Sequence, residues 1–181
     1  MNSSLATARY PAHTNNYYGT RGVAIDKIIV HHMAGVSTAK SCAVSFQNPN
    51  RGGSSNYCIG NDGEIAVSVD EMYASGASSS KQADLSGVTI ETSNSKYGDA
   101  YGWPVSDKAL KSLISLCADI AKRNNLGILV PGKNLCWHSM YGATQCPGPY
   151  LLGKMQYIAD EANAINTPLK ENEHKLDGID I

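Results

Sequence analysis

The sequence predicts an α/β fold: a single domain with a central mixed β-sheet flanked by helices. Two apolar runs of strand length, residues 27–32 and 88–92, each end in polar side chains. A longer segment, residues 107–124, carries apolar residues at spacings of three and four, which is typical of one face of an α-helix. With 181 residues the chain is the size of one domain, so strands and helices are expected to share a core.

The first half of the chain is predicted to contain an arm, a strand, a short helix and a hairpin. Residues 1–23, rich in Asn, Tyr, Ser, Thr and Gly, are expected to form an irregular N-terminal arm. After the strand at 27–32, residues 38–46 are predicted to be helical, with Ser37 as the N-cap. Two short apolar runs then flank Asp62-Gly63, a strong turn signal, and predict a β-hairpin.

The second half is predicted to be more helical. A Ser-rich loop at 75–86 precedes the strand at 88–92, and the helix at 107–124 has Ser106 as its expected N-cap. A last helix is predicted at 151–165.

The predicted domain organisation is an arm (residues 1–23), one folded domain (residues 24–166) and a polar tail or linker (residues 167–181).

Composition excludes several function classes. The net charge of −1, without a dense run of Lys and Arg, argues against nucleic acid as a partner. No apolar stretch approaches the roughly 20 residues of a membrane-spanning helix, so no membrane association is expected. The N-terminus lacks the pattern of a secretory signal. We therefore expect a monomer that is made in the cytoplasm without a signal peptide.

Histidines and one cysteine form the candidate chemical site. His31 and His32 end the strand at 27–32, and His138 is followed eight residues later by Cys146. Imidazole nitrogen and thiolate sulfur are natural zinc ligands, and catalytic zinc sites use three protein ligands and leave one position open. The five cysteines contain no Cys-x-x-Cys pair, so the other four are expected to be buried thiols.

The chain resembles the type-2 N-acetylmuramoyl-L-alanine amidases, the family of phage T7 lysozyme and the animal peptidoglycan recognition proteins. The resemblance covers residues 24–165 and depends on two motifs, Val30-His31-His32-Met33-Ala34 and His138 with Cys146-Pro147. It implies that His31, His138 and Cys146 bind Zn²⁺. His31 is preferred to His32 because the family's ligand directly follows the apolar run, and neighbouring strand residues face opposite sides.

The same resemblance implies two catalytic residues. Glu91, at the end of the strand at 88–92, corresponds to a glutamate that serves as the acid/base residue in many members. Thr144 stands where some members have a lysine, and its hydroxyl is expected to hydrogen-bond an oxyanion or the bound water. Asn94 and the Ser-rich loop are expected to line a groove, whereas Trp103 is either a sugar platform or a structural residue.

The predicted function is zinc-dependent hydrolysis of the amide bond between N-acetylmuramic acid and L-alanine in bacterial peptidoglycan. The chain is most similar to catalytic domains of phage or prophage endolysins, which implies that it waits in the host cytoplasm and acts on the cell wall after release. A non-catalytic peptidoglycan-binding module is the main alternative, although such receptors typically lack the cysteine ligand that Cys146 supplies here. A cysteine–histidine hydrolase with Cys146 or Cys58 as nucleophile is the second alternative, and metal dependence would separate it from the amidase.

Overall fold

A computed structural model describes residues 1–167, so all but the first residue of the tail predicted at 167–181 lies outside the described residues. The strands and α-helices of this part are, in chain order, β1 (Ala8–Arg9), β2 (Tyr17–Thr20), β3 (Lys27–His32), α1 (Ala39–Ser45), β4 (Tyr57–Ile59), β5 (Ile65–Val67), β6 (Tyr73–Ser75), α2 (Lys81–Ser86), β7 (Gly87–Thr92), α3 (Asp107–Arg123), β8 (Leu135–Trp137) and α4 (Gly148–Asn166).

Six strands form the central sheet in the order β1-β5-β4-β7-β3-β8, and β2 pairs with β6 in a separate two-stranded sheet. Strands β4, β7, β3 and β8 run parallel, whereas β5 is antiparallel to β4. The sheet is therefore mixed and the predicted fold class is confirmed.

The two longest strands lie at the centre of the sheet. All of β7 except Glu91, and all of β3 except Lys27, is buried. Strands of a parallel sheet that are covered on both faces are near-continuous apolar runs, which is why both were visible in the sequence.

Successive side chains of a strand point to opposite faces, so the central sheet has a hydrophobic core on each face. Ile28 and Val30 of β3 pack with residues of α3 and α4, whereas Cys58 of β4 packs with Ala39 and Ala43 of α1 on the opposite face. In α3, the side chains at the predicted spacings of three and four are buried in the first core.

One of the two predicted helix N-caps is confirmed and the other is wrong. Ser106 caps α3 by accepting a hydrogen bond from the Ala109 N–H. The expected cap Ser37 is wrong by one residue, because Thr38 caps α1 and accepts from the Ser41 N–H. The Ser37 N–H instead donates to Ser93 Oγ at 2.8 Å. This hydrogen bond connects the loop between β3 and α1 to the end of β7.

Two segments predicted to be irregular contain regular structure. The arm at 1–23 supplies edge strand β1, parallel to β5, and strand β2. The loop at 75–86 contains α2, capped by Ser80. Arg21 fastens the arm to the domain: its buried guanidinium donates to the carbonyl oxygens of residues 71, 84, 85 and 87 and to Asn56 Oδ1.

Within residues 1–167, no helix has both the length and the apolar character required to cross a membrane.

Candidate metal centre

His31 is placed by the central strand β3. It is 1% exposed, and its Nε2 is buried without a hydrogen-bond partner among residues 1–167. Burial lowers the pKa of this imidazole well below its usual value, and the neighbouring His138 and His32 lower it further. His31 therefore presents a neutral ring, the form that binds metals.

His138 and Cys146 reach the same place from strand β8. Because β8 is parallel to β3, with Trp137 beside Val30, His138 emerges next to His31. The two rings lie 4.6 Å apart between centroids. The loop after His138 folds back on itself, because the Ser139 N–H donates to the Cys146 carbonyl at 3.0 Å. This hydrogen bond places Cys146 beside His138.

The three side chains predicted as ligands converge. One donor atom from each of His31, His138 and Cys146 lies within 4.8 Å of the other two. Two imidazoles and a thiol are a donor set typical of zinc, and the unpartnered buried nitrogen of His31 is the kind of atom that a bound cation satisfies. The residues present therefore fit a zinc ion.

His32 faces away from this cluster. Its ring packs edge-on against Trp103 at a centroid distance of 5.4 Å, close to Gly148 at the start of α4. Its backbone N–H nevertheless donates to Cys146 Sγ at 3.3 Å. His32 thus contacts the site through its main chain, a contact that sequence reasoning did not anticipate.

Glu91 lies beside His31 on the neighbouring strand. The two are register partners in the parallel β3–β7 pair, so their side chains share one face of the sheet. Although Glu91 is partly exposed as a residue, its Oε2 is buried and has no hydrogen-bond partner in the described chain. Burial raises the pKa of this carboxyl to about 8, an effect that the positive charge of Arg51 opposes.

Thr144 and Ser79 form hydrogen bonds with two of the three candidate ligand residues, Cys146 and His138. Thr144 Oγ1 accepts a hydrogen bond from the Cys146 N–H at 3.2 Å. Ser79 Oγ lies 3.1 Å from His138 Nε2, a partner that fixes the orientation of the ring. The sequence placed Ser79 in a groove-lining loop but gave no signal for this contact.

Asn94, expected to line a groove, is buried and has a structural role. Its Oδ1 accepts from the Gly35 N–H at 3.2 Å and its Nδ2 donates to the Trp103 carbonyl at 2.9 Å. It thereby joins the loop after β3 to the loop that carries Trp103.

Strained backbone surrounds the site. Four non-glycine residues within 1–167 have clearly positive φ angles, and three of them border the cluster: Ala34 at 50°, Ser79 at 64° and Trp103 at 55°. Such conformations are costly for L-residues and accumulate at functional sites, where surrounding contacts hold them.

Two cavities adjoin one another beside the cluster, and His32, Ala34 and Glu91 line both of them. The metal-side cavity, of about 410 Å³, also includes Trp103, His138, Thr144, Gln145 and Cys146. The Arg51 groove, of about 350 Å³, extends from Glu91 along α1 and is further lined by Met33, Gly35, Val36, Ser37, Ser41, Cys42, Ser45, Phe46, Arg51 and Tyr97.

Comparison with known proteins identifies the family. The sequence pattern of the N-acetylmuramoyl-L-alanine amidases matches residues 21–149, more than half of the chain. The chain belongs to this amidase family. It is therefore an enzyme, an N-acetylmuramoyl-L-alanine amidase, and its substrate class is peptidoglycan. A comparison with curated proteins found no match.

Solved structures share the fold at low sequence identity. The structure of PlyL covers 86% of this chain and 95% of its own, with a TM-score of 0.69 and 14% identity. The endolysin amidase LysCS from Clostridium intestinale covers 92% of this chain and 100% of its own, with a TM-score of 0.59 and 14% identity. Staphylococcus aureus hydrolase AmiA, in complex with its ligand, covers 92% and 93%, with a TM-score of 0.69 and 14% identity.

Proposed function

We propose that this amidase is a zinc-dependent endolysin that hydrolyses the bond between N-acetylmuramic acid and the L-alanine of the stem peptide. The observation that carries the proposal is the convergence of His31, His138 and Cys146 directly beside an unpartnered carboxylate on Glu91. A metal ligand set and a proton-transfer group are the two components that metal-assisted amide hydrolysis requires.

His31, His138 and Cys146 are the proposed ligands. Bound zinc would lower the pKa of a water molecule to about 7 and polarise the carbonyl under attack. The protein's contribution is to hold the ligands: the β3 strand fixes His31, Ser79 orients His138, and the His32 N–H stabilises the negative charge of the Cys146 sulfur.

Glu91 is the proposed acid/base residue. Its buried oxygen makes no hydrogen bond within residues 1–167. In the ionised form, which a bound zinc ion would favour, this carboxyl can accept a proton from the attacking water. The same carboxyl group then donates this proton to the departing amine of L-alanine. Because Glu91 and His31 are register partners on one face of the sheet, acid and metal ligand are held together by rigid strands.

Thr144 is the proposed hydrogen-bond donor to the developing oxyanion. Its oxygen already accepts from the Cys146 N–H, which orients the side chain and leaves the hydroxyl proton available. It lines the metal-side cavity, where the reacting carbonyl would lie. A neutral hydroxyl is a weaker stabiliser than a cation, so this contribution is expected to be modest.

The proposed setting is lysis of a bacterial host. Two structural neighbours are described as endolysins, LysCS from Clostridium intestinale and a mutant endolysin from Bacillus subtilis. By this likeness the enzyme would accumulate in the host cytoplasm and act on the cell wall after release.

Release of stem peptides from purified cell walls tests the proposal. We expect new N-terminal alanine to appear, to disappear after chelation and to return with added zinc. Activity that survives chelation would favour the cysteine–histidine hydrolase, with Cys146 as the nucleophile, because Cys58 is fully buried. Cell walls that release no alanine terminus even with zinc would contradict the proposed reaction.

A further inference from the structure

We propose that Arg51 is a specificity-determining residue that binds a carboxylate of the stem peptide in the Arg51 groove. The inference rests on the proposed function and deepens it by naming the part of the substrate that this groove recognises.

The groove begins at the reacting centre. Glu91 and His32 line both the groove and the metal-side cavity, whereas Arg51 lines the groove alone. A substrate whose scissile amide lies beside Glu91 can therefore extend one arm along α1 towards Arg51. The volume of about 350 Å³ lies within the range of roughly 300–1,000 Å³ that is usual for ligand pockets.

The lining of the groove suits a short peptide. Ser37, Ser41 and Ser45 supply hydroxyl oxygens, which can accept hydrogen bonds from the N–H groups of a peptide backbone. The Ser37 and Ser45 hydroxyls themselves donate to the carbonyls of Thr38 and Cys42. Arg51 and Glu91 are its two charged side chains. Since Glu91 is assigned to the reaction, Arg51 is the charged group left to recognise the substrate.

Arg51 is exposed, oriented and unpaired. Its guanidinium rests over the ring of Phe46, with Cζ 4.8 Å from the ring centroid, and Phe46 itself is 3% exposed. Within residues 1–167, the Arg51 side chain makes no hydrogen bond or salt bridge, unlike Arg9, which is paired with Asp70. A planar cation held against a fixed ring, with its donors free, is well suited to a carboxylate.

The substrate offers a carboxylate near the scissile amide. The second residue of the stem peptide is a D-glutamyl residue joined through its side chain, so its α-carboxyl group branches from the backbone. This group is a carboxylate in some cell walls and a carboxamide in others. Arg51 would favour the carboxylate form, because a charged hydrogen bond is about twice as strong as a neutral one.

The test compares two synthetic muramyl tetrapeptides that differ only in carrying the α-carboxylate or the α-carboxamide, with the C-terminus amidated in both. We expect wild-type enzyme to prefer the carboxylate. Arg51→Gln should raise KM for the carboxylate about tenfold and change KM for the carboxamide less than about twofold. Any change in kcat should be the same for both substrates, because Arg51 lines the groove together with Glu91. Arg51→Lys should retain most of the preference, and Arg9→Gln, a matched loss of an exposed arginine, should retain all of it.

Two outcomes would overturn the inference while the proposed function stands. Arg51→Gln could leave the ratio of the two KM values unchanged, or it could lower kcat on both substrates without changing that ratio, which would mean that Arg51 acts only through Glu91. If wild-type enzyme with zinc cleaves neither peptide nor whole cell walls, the proposed function itself fails.

Discussion

Two glutamates on opposite faces of the sheet differ in every contact that they make. Glu71, 2% exposed, accepts two hydrogen bonds from Arg123 of α3, at 2.6 and 2.9 Å, and a third from the Tyr57 hydroxyl. Glu91 shares its face with Cys58 on the α1 side, and its buried oxygen has no partner among residues 1–167. The same side chain is saturated in one region and unsatisfied in the other.

This difference separates a structural carboxylate from a chemical one. A buried charge normally requires an opposite charge and hydrogen bonds, and Glu71 has both. The Glu71 network also reaches the N-terminus, because Arg123 donates to the Met1 carbonyl at 2.6 Å and Asn2 Oδ1 accepts from the Glu71 N–H at 2.9 Å. The missing partner of Glu91 is explained if its partners are a metal-bound water and the substrate.

The largest expected effect is on activity, from Glu91→Gln. Loss of the proton-transfer group should lower kcat by about 10³-fold, while zinc content stays the same. The free energy of unfolding at neutral pH should rise rather than fall, because burial raises the pKa of Glu91 and the neutral amide of Gln avoids the cost of a buried carboxylate. Cleavage of a soluble muramyl peptide and urea unfolding measure the two quantities. Full activity in Glu91→Gln would remove this residue from the mechanism.

The identical substitution in the other region, Glu71→Gln, should give the opposite pattern. Removing the charge that pairs with Arg123 should lower the free energy of unfolding by about 3 kcal/mol, because the Arg123 side chain is 23% exposed and water replaces only part of the interaction. The kcat of the folded enzyme should stay within about twofold, since no metal ligand contacts Glu71. A stable but inactive Glu71→Gln variant would contradict the separation of the two roles.

A smaller effect is expected from Ser79→Ala, which removes the partner of His138 but keeps a Cβ at the same strained φ angle. Zinc affinity should fall about tenfold, as for other residues that orient a metal ligand. Activity at saturating zinc should recover almost completely. A zinc titration of the apo-enzyme gives the affinity, and an unchanged dissociation constant would mean that Ser79 does not orient His138.

Much of this fold could be predicted because it depends on local patterns. Strands β3 and β7 are apolar runs, α3 has one buried face, and Ser106 sits at a cap position. The short strands β1, β2, β6 and β8 have two to four residues and no such pattern, and they exist because neighbouring strands supply their hydrogen bonds. Helix α2 is polar and short, so its sequence resembled a loop.

The residues of the candidate site also fall into two groups, those that the sequence predicted and those that it did not. His31, His138 and Cys146 were recognisable from motifs that resemble those of the family, and Glu91 from its correspondence to a glutamate in many members. Arg51 and Ser79 were not recognisable, because each acts across the fold from an irregular loop whose path depends on tertiary contacts. The cap shifted from Ser37 to Thr38, since adjacent hydroxyl residues both satisfy the sequence rule.

The central claim is that Cys146, together with two histidines, holds a metal ion, and cobalt substitution tests it most directly. A thiolate bound to cobalt(II) gives a charge-transfer absorption that imidazole ligands alone do not give. We expect this band in wild-type enzyme and in Cys42→Ser, a control at another partly exposed cysteine, and we expect its loss in Cys146→Ser. A band that persists in Cys146→Ser would contradict the assignment of Cys146 as a metal ligand.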